Sequence, residues 1–274
     1  MVPFKKYNVL LRHLQLPPDK HFKFNTMKKS LFGFIMICVI FISCKKEAGS
    51  KNESQNETGF VTGKITDSKG NIISGAKITI EHTVWYDSYL NATTDANGNY
   101  KIAIPSEPAG DWTAKAQLTK SAYGQEYVFD LNADKTDPFT CNNSTVRNFT
   151  WKLSGKRTGS DSYYGAHVDL YQFGTDVDMN KVKLVFTPYP GEEKLIDGSP
   201  ASIIERNVED VAGTFMVKDI PIGKYLVKAV YPGKTLLLQN RHDEAAPEVQ
   251  KTIVFGKYGY LGETEYNVEF WLSE

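Results

Sequence analysis

From Phe60 onward the chain is punctuated every few residues by turn chemistry, and between the turns its apolar residues alternate. Ala76-Lys-Ile-Thr-Ile-Glu81 puts Ala76, Ile78 and Ile80 on one face, and Tyr100-Lys-Ile-Ala-Ile104 does the same with Tyr100, Ile102 and Ile104. Side chains alternate across a strand with period two, so these segments bury one face and solvate the other as β-strands. Asp67-Ser-Lys-Gly-Asn71 is turn chemistry, and Asn97-Gly98 predicts a tight hairpin because both residue types tolerate positive φ. No segment of ten or more residues has helical period. The expected fold class is all-β.

The second half of the chain repeats the first. Val182-Lys-Leu-Val-Phe186 matches Ala76–Ile80, and Gly213-Thr-Phe-Met-Val217 with Gly223–Ala229 echoes the strands around Gly98–Ile104 and Gly110–Ala116. The ends agree best, Asn148-Phe-Thr-Trp-Lys-Leu-Ser-Gly155 against Asn267-Val-Glu-Phe-Trp-Leu-Ser-Glu274. Two closing strands imply two tandem β-sandwiches, residues 60–155 and 161–274, joined near Gly155–Ser160. One larger barrel is the alternative, since single β domains of this length exist.

Gly63-Lys-Ile-Thr-Asp-Ser-Lys-Gly-Asn-Ile-Ile-Ser-Gly-Ala-Lys-Ile-Thr-Ile80, followed by Thr94-Asp-Ala-Asn-Gly-Asn-Tyr-Lys-Ile102, resembles the carboxypeptidase regulatory-like domain. That resemblance implies a seven-stranded, transthyretin-like (prealbumin-like) β-sandwich common in exported bacterial proteins, and implies no particular activity. Pro105, Gly110 and Trp112 follow the family pattern, with Trp112–Ala116 as a strand. Ser121 to Arg147 departs from it as an insertion, expected to form an added loop or hairpin.

Upstream, Met27-Lys-Lys-Ser is followed by an apolar run from Leu31 to Ile42, then Ser43, Cys44 and Lys45-Lys-Glu47. The run is shorter than the roughly 20 apolar residues of a membrane-spanning helix, and its flanks suit an export signal. The layout resembles a bacterial lipoprotein signal peptide over residues 27–43, which implies a mature chain starting at a diacylated Cys44. The charged residues after it resemble the start of exported lipoproteins in Bacteroidetes-type bacteria. The resemblance therefore implies a lipid-anchored outer-membrane protein, held to the membrane through its N-terminus. Residues 1–26 are then an extended n-region or an over-long start. Ala48 to Gly59 has no apolar residue larger than alanine, so residues 44–59 are expected to be a flexible tether. A loose chain of that length spans roughly 20 Å.

Residues 1–43 carry seven Lys/Arg and one acidic residue, so the remainder has 25 basic against 31 acidic residues, a net of −6. A nucleic-acid partner would need a basic face, and none is expected. Of three cysteines, only Cys141 remains beyond the anchor, which leaves no intramolecular disulfide and no cysteine-based zinc site. His82, His167 and His242 form no pair at metal-ligand spacing, and no Gly-x-Ser-x-Gly elbow occurs. Asp176-Val-Asp-Met-Asn180 opens like a calcium loop but lacks its glycine, and reads as a polar turn. No catalytic residue, metal site or cofactor is expected.

The aromatic residues remain. Trp85, Tyr86 and Tyr89 lie in His82-Thr-Val-Trp-Tyr-Asp-Ser-Tyr-Leu90; if extended, that piece puts Trp85 and Tyr89 on one face. Flat rings beside polar groups suit sugar rings, whose C–H faces are apolar and whose edges hydrogen-bond. Tyr123, Tyr127, Tyr258 and Tyr260 could extend the surface. Packing in the core or at a sheet edge accounts for the same residue types. The expected function is non-catalytic binding of a glycan or an envelope protein partner. A structural spacer and an accessory to a hydrolase stand as the alternatives.

Overall fold

The computed structural model describes residues 59–106, 110–257 and 264–274. Cys44, the signal-like segment 27–43, residues 1–26, the tether to residue 58, and Tyr258 with Tyr260 lie outside the described residues.

The described chain is built of strands joined by turns, with one 3₁₀ turn at Met179–Lys181. The first half contributes nine strands: β1 Gly59–Asp67, β2 Lys77–His82, β3 Tyr89–Thr93, β4 Asn99–Ile104, β5 Trp112–Ala122, β6 Gln125–Asp130, β7 Asn132–Ala133, β8 Thr145–Val146 and β9 Phe149–Trp151. They form two sheets, β4-β1-β9-β7 with β8 also on β1, and β3-β2-β5-β6. The alternation read from the sequence decides which faces meet. Ala76, Ile78 and Ile80 are buried, as are Tyr100, Ile102 and Ile104 from the other sheet, with Trp112 and Phe149 between them.

The second half contributes β10 Ala166–Gln172, β11 Lys183–Pro188, β12 Ile204–Asn207, β13 Glu209–Val211, β14 Thr214–Ile220, β15 Lys224–Tyr231, β16 Lys234–Thr235, β17 Leu237–Asn240, β18 Lys251–Val254, β19 Gly256–Lys257 and β20 Tyr266–Ser273. Its sheets are β13-β14-β10-β20-β17, with β19 on β20, and β12-β11-β15-β16, with β18 on β15. The pairing logic of the first half recurs. An opening strand (β1 or β10) pairs parallel to the closing strand (β9 or β20) and antiparallel to β4 or β14. A central strand (β2 or β11) pairs antiparallel to β5 or β15 and to β3 or β12. Among the described residues, no named strand of one half pairs with a strand of the other.

Two sequence expectations change. Asn97-Gly98 does close a local turn, with Gly98 at φ +71° and its amide on the Asp95 carbonyl at 3.0 Å. Its two arms then diverge, because β3 pairs β2 while β4 pairs β1 in the other sheet. Left-handed Gly98 turns the chain between layers; it does not join neighbouring strands, and its missing Cβ leaves room for the Ile65 carbonyl. Gly59, expected in the tether, is the buried first residue of β1. The 121–147 insertion begins as a hairpin, β5 running past Ala116 to Ala122 and turning at Tyr123-Gly124 into β6. The calcium-like segment is the 3₁₀ turn, with Asp178 at its N-terminus accepting from the Asn180 amide. Cys141 is a buried free thiol.

The two halves are stitched by hydrogen bonds across their junction. The Tyr127 phenol on β6 and the Gln125 amide both donate to the Phe255 carbonyl, at 3.0 and 2.6 Å. Tyr266 on β20 packs its ring 4.9 Å from Tyr127 and bonds the backbone of Val128. The Asp219 carboxylate accepts from the amides of Gly155 (2.8 Å) and Gly165 (3.2 Å), closing the base of the connecting loop. Arg157 of that loop reaches back to Asp130 at 3.0 Å.

Candidate functional site

Residues 83–88 connect β2 to β3 and are not extended. Asp87 sits at φ +56°, and the His82 amide bonds the Ser88 carbonyl at 2.9 Å, so the segment leaves and re-enters the sheet at one place. It therefore lacks the strand alternation that would set Trp85 and Tyr89 on one face. The anchor is His82. It is the last residue of β2, and its ring is buried and meets Trp112 edge-on at 4.7 Å. Its Nδ1 accepts the amides of Val84 (3.1 Å) and Trp85 (3.0 Å), which requires that nitrogen to be unprotonated and the ring proton to sit on Nε2. Thr83 and Asp111 exchange two more bonds, at 2.8 and 3.1 Å, tying the loop to the start of β5.

What this frame holds out is apolar. Trp85 is 53% exposed, Tyr86 95% and Tyr89 56%, with Val84 exposed beside them. Scattered surface aromatics need no explanation, but here four large apolar side chains are exposed within six residues, on and beside a loop fixed by backbone bonds. Tyr89 also lines a groove of about 640 Å³ on the outer face of β2 and β5. Buried Ala116, Leu131 and Phe149 line the groove together with polar side chains: Lys115 pairs with Glu81 at 2.6 Å, and Gln117 donates to Asp130 at 3.0 Å. Thr79 beside them donates to Asn91 at 2.9 Å. Tyr164 and Arg157 close its far side, the guanidinium 4.9 Å from the ring centre. Tyr89 thus brings one exposed ring to the hydrogen-bonding side chains of the groove.

Other aromatic candidates do not belong to this surface. Tyr127 is fully buried at the junction, and burial pushes its phenol up to about 12. Tyr123 donates to the Lys194 carbonyl at 3.1 Å on the far side of that junction. His242 is exposed beside Glu269 at 3.3 Å, and among the described residues no group of three His, Cys, Asp or Glu is placed to hold a metal ion.

The sequence reading passed over the outer face of β10. His167, Asp169 and Tyr171 alternate with the buried Val168 and Leu170; the Trp271 ring lies 5.5 Å from that of Tyr171, and exposed Phe173 lies 5.9 Å from Trp271 in turn. Arg241 lies 4.0 Å over Tyr171 and pairs with Glu269 at 2.8 Å. Period-two alternation in Ala166–Gln172 was the available signal, because it puts the three polar-faced residues together.

No protein-family model matches the chain. The inverse autotransporter adhesin YeeJ of Escherichia coli K12 is 26% identical over 214 residues, which is 77% of this chain and 9% of that much longer protein. Among solved structures, the Bacillus anthracis TIE protein is similar with TM-score 0.30 and 11% identity, covering 79% of this chain and 34% of that one. A single B repeat unit of the Staphylococcus aureus collagen-binding surface protein aligns with TM-score 0.24 and 12% identity, over 80% of this chain and all of that unit. A streptococcal ancillary pilin aligns with TM-score 0.26 and 13% identity, over 78% and 63% of the two chains.

Proposed function

We propose that this protein is a non-catalytic, lipid-anchored binding module of a bacterial cell surface, with two β-sandwiches at 60–155 and 161–274 carried on the 44–59 tether. Its ligand is a carbohydrate, recognised by Trp85, Tyr86 and Tyr89. The observation that carries this is the His82-anchored loop, which holds Tyr86 at 95% exposure and ends at Tyr89, a lining residue of the groove that also contains Glu81, Lys115 and Gln117. Rings held ready lose little freedom on binding, and a sugar offers them an apolar face while Glu81, Lys115 and Gln117 meet its hydroxyls. The similarity to an adhesin is consistent with a role outside the cell.

A glycan array probed with the detergent-solubilised full chain tests the binding. Retention of a glycan class by the parent chain and its loss in Trp85→Ala support the reading, and an array without retained glycans opposes it. Palmitate labelling of growing cells tests the anchor at Cys44: label absent in Cys44→Ala supports it, and unchanged label contradicts it.

A further inference from the structure

We propose a second binding site, independent of the aromatic loop: the cleft over Asp169 takes a primary ammonium group. Asp169 is on the outer face of β10, yet it is only 3% exposed. Its Oδ2 accepts from the Asn267 amide at 3.1 Å and lies 3.5 Å from His167 Nε2. Among the described residues its Oδ1 has no hydrogen-bond partner. A carboxylate can accept about four hydrogen bonds, and an unpaired buried oxygen is costly, so this group is built to receive another donor.

A cleft of about 260 Å³ opens beside it, walled by Tyr163, Lys218, Glu265 and Tyr266. The cleft is negative. Among the described residues Lys218 is the only ammonium in its wall, and it is held by Glu209 at 3.0 Å, outside the lining. Asp161, Asp169, Asp219 and Glu265 thus line the cavity against that one ammonium. Phenol rings complete the chemistry, since a cation gains from an aromatic face as well as from a carboxylate. The same pairing is already used nearby, with Lys218 5.6 Å from the Tyr163 ring centre and Arg241 4.0 Å from that of Tyr171. A neutral sugar would leave the buried carboxylate charge unmatched; an ammonium group satisfies charge and hydrogen bond together.

Calorimetric titration of the full chain with n-butylammonium chloride, and with n-butanol as the neutral probe of equal length, tests this. Saturable binding of butylammonium alone is expected, weakened by about ten-fold or more in Asp169→Asn. Tyr86→Ala should bind butylammonium like the parent chain, which separates this site from the loop. Thr214→Trp, filling the cleft while leaving every charged group in place, should also abolish binding and covers the case in which Asp169→Asn does not fold. Two natural sources of the group, a peptide lysine and an amino sugar, are distinguished by Nα-acetyl-lysine methylamide and glucosamine. Whichever binds more tightly than butylammonium names the source and supports the site. No saturation, equal binding of n-butanol, or parent-like binding by a folded Asp169→Asn would overturn it.

Discussion

The buried imidazole of His82 accepts the backbone amide of Trp85 at 3.0 Å, so a core residue fixes the backbone of the most exposed aromatic segment in the described chain. Replacing His82 by Ala removes a packed ring and leaves two amides without their acceptor. The expected cost is about 3 kcal/mol in global stability. The sharper readout is hydrogen exchange, in which the amides of Val84 and Trp85 should lose protection in His82→Ala; unchanged protection there would deny His82 its anchoring role.

Gly110 lies at φ +95°, and a Cβ there would fall 2.4 Å from His82 Cε1. Gly110→Ala therefore strains the backbone and displaces the ring from behind, with an expected loss of about 2 kcal/mol by denaturant titration. The loop amides should exchange faster than that loss alone explains. A variant as stable as the parent chain would show that the imidazole has room to move.

The junction between the halves should weaken in alkali. Burial raises the Tyr127 phenol from its ordinary 10.0 to about 12. The unfolded chain then ionises first, so the stability from keeping Tyr127 neutral is complete below pH 10 and is lost as pH rises from there towards 12. Tyr127→Phe should cost about 1 kcal/mol at neutral pH, where Gln125 still donates to the Phe255 carbonyl. Its stability should fall less steeply than the parent's above pH 10, by about 2 kcal/mol over that range. Parallel pH profiles for the two proteins would contradict the assignment.

Asp219 receives the amides of Gly155 and Gly165 from the two ends of the connecting loop. Asp219→Ala leaves both amides without that acceptor and should destabilise the protein by about 2 kcal/mol. Proteolysis should then cut between Gly155 and Gly165 first. An unchanged cleavage pattern would mean that Arg157 on Asp130 secures the loop alone.

The core faces were legible because alternation is a local property: Ala76, Ile78 and Ile80, or Tyr100, Ile102 and Ile104, declare one buried face without knowledge of what covers it. The pairing of strands was less legible. Asn97-Gly98 has hairpin chemistry, but whether its arms stay paired depends on β1 and β2 capturing them, which are interactions distant in sequence. The same limit applies to the site. Trp85, Tyr86 and Tyr89 stood out as aromatics among polar neighbours, whereas Tyr127 has the same composition around it and lies fully buried, because Tyr266 and Phe255 arrive from the other half of the chain. His82 became an anchor only when the turn at Asp87 folded the amides of Val84 and Trp85 onto its ring.

Binding of carbohydrate by the exposed loop is read from the affinity of the full chain for its array-selected glycan. Calorimetry on the parent chain and on the Trp85→Ala, Tyr86→Ala double variant should show at least about a ten-fold loss in the variant, since each stacked ring contributes on the order of 1 kcal/mol. The melting temperature should be unchanged, because both side chains project from the fold. Equal affinity of the two proteins, with equal melting, would contradict binding through the loop.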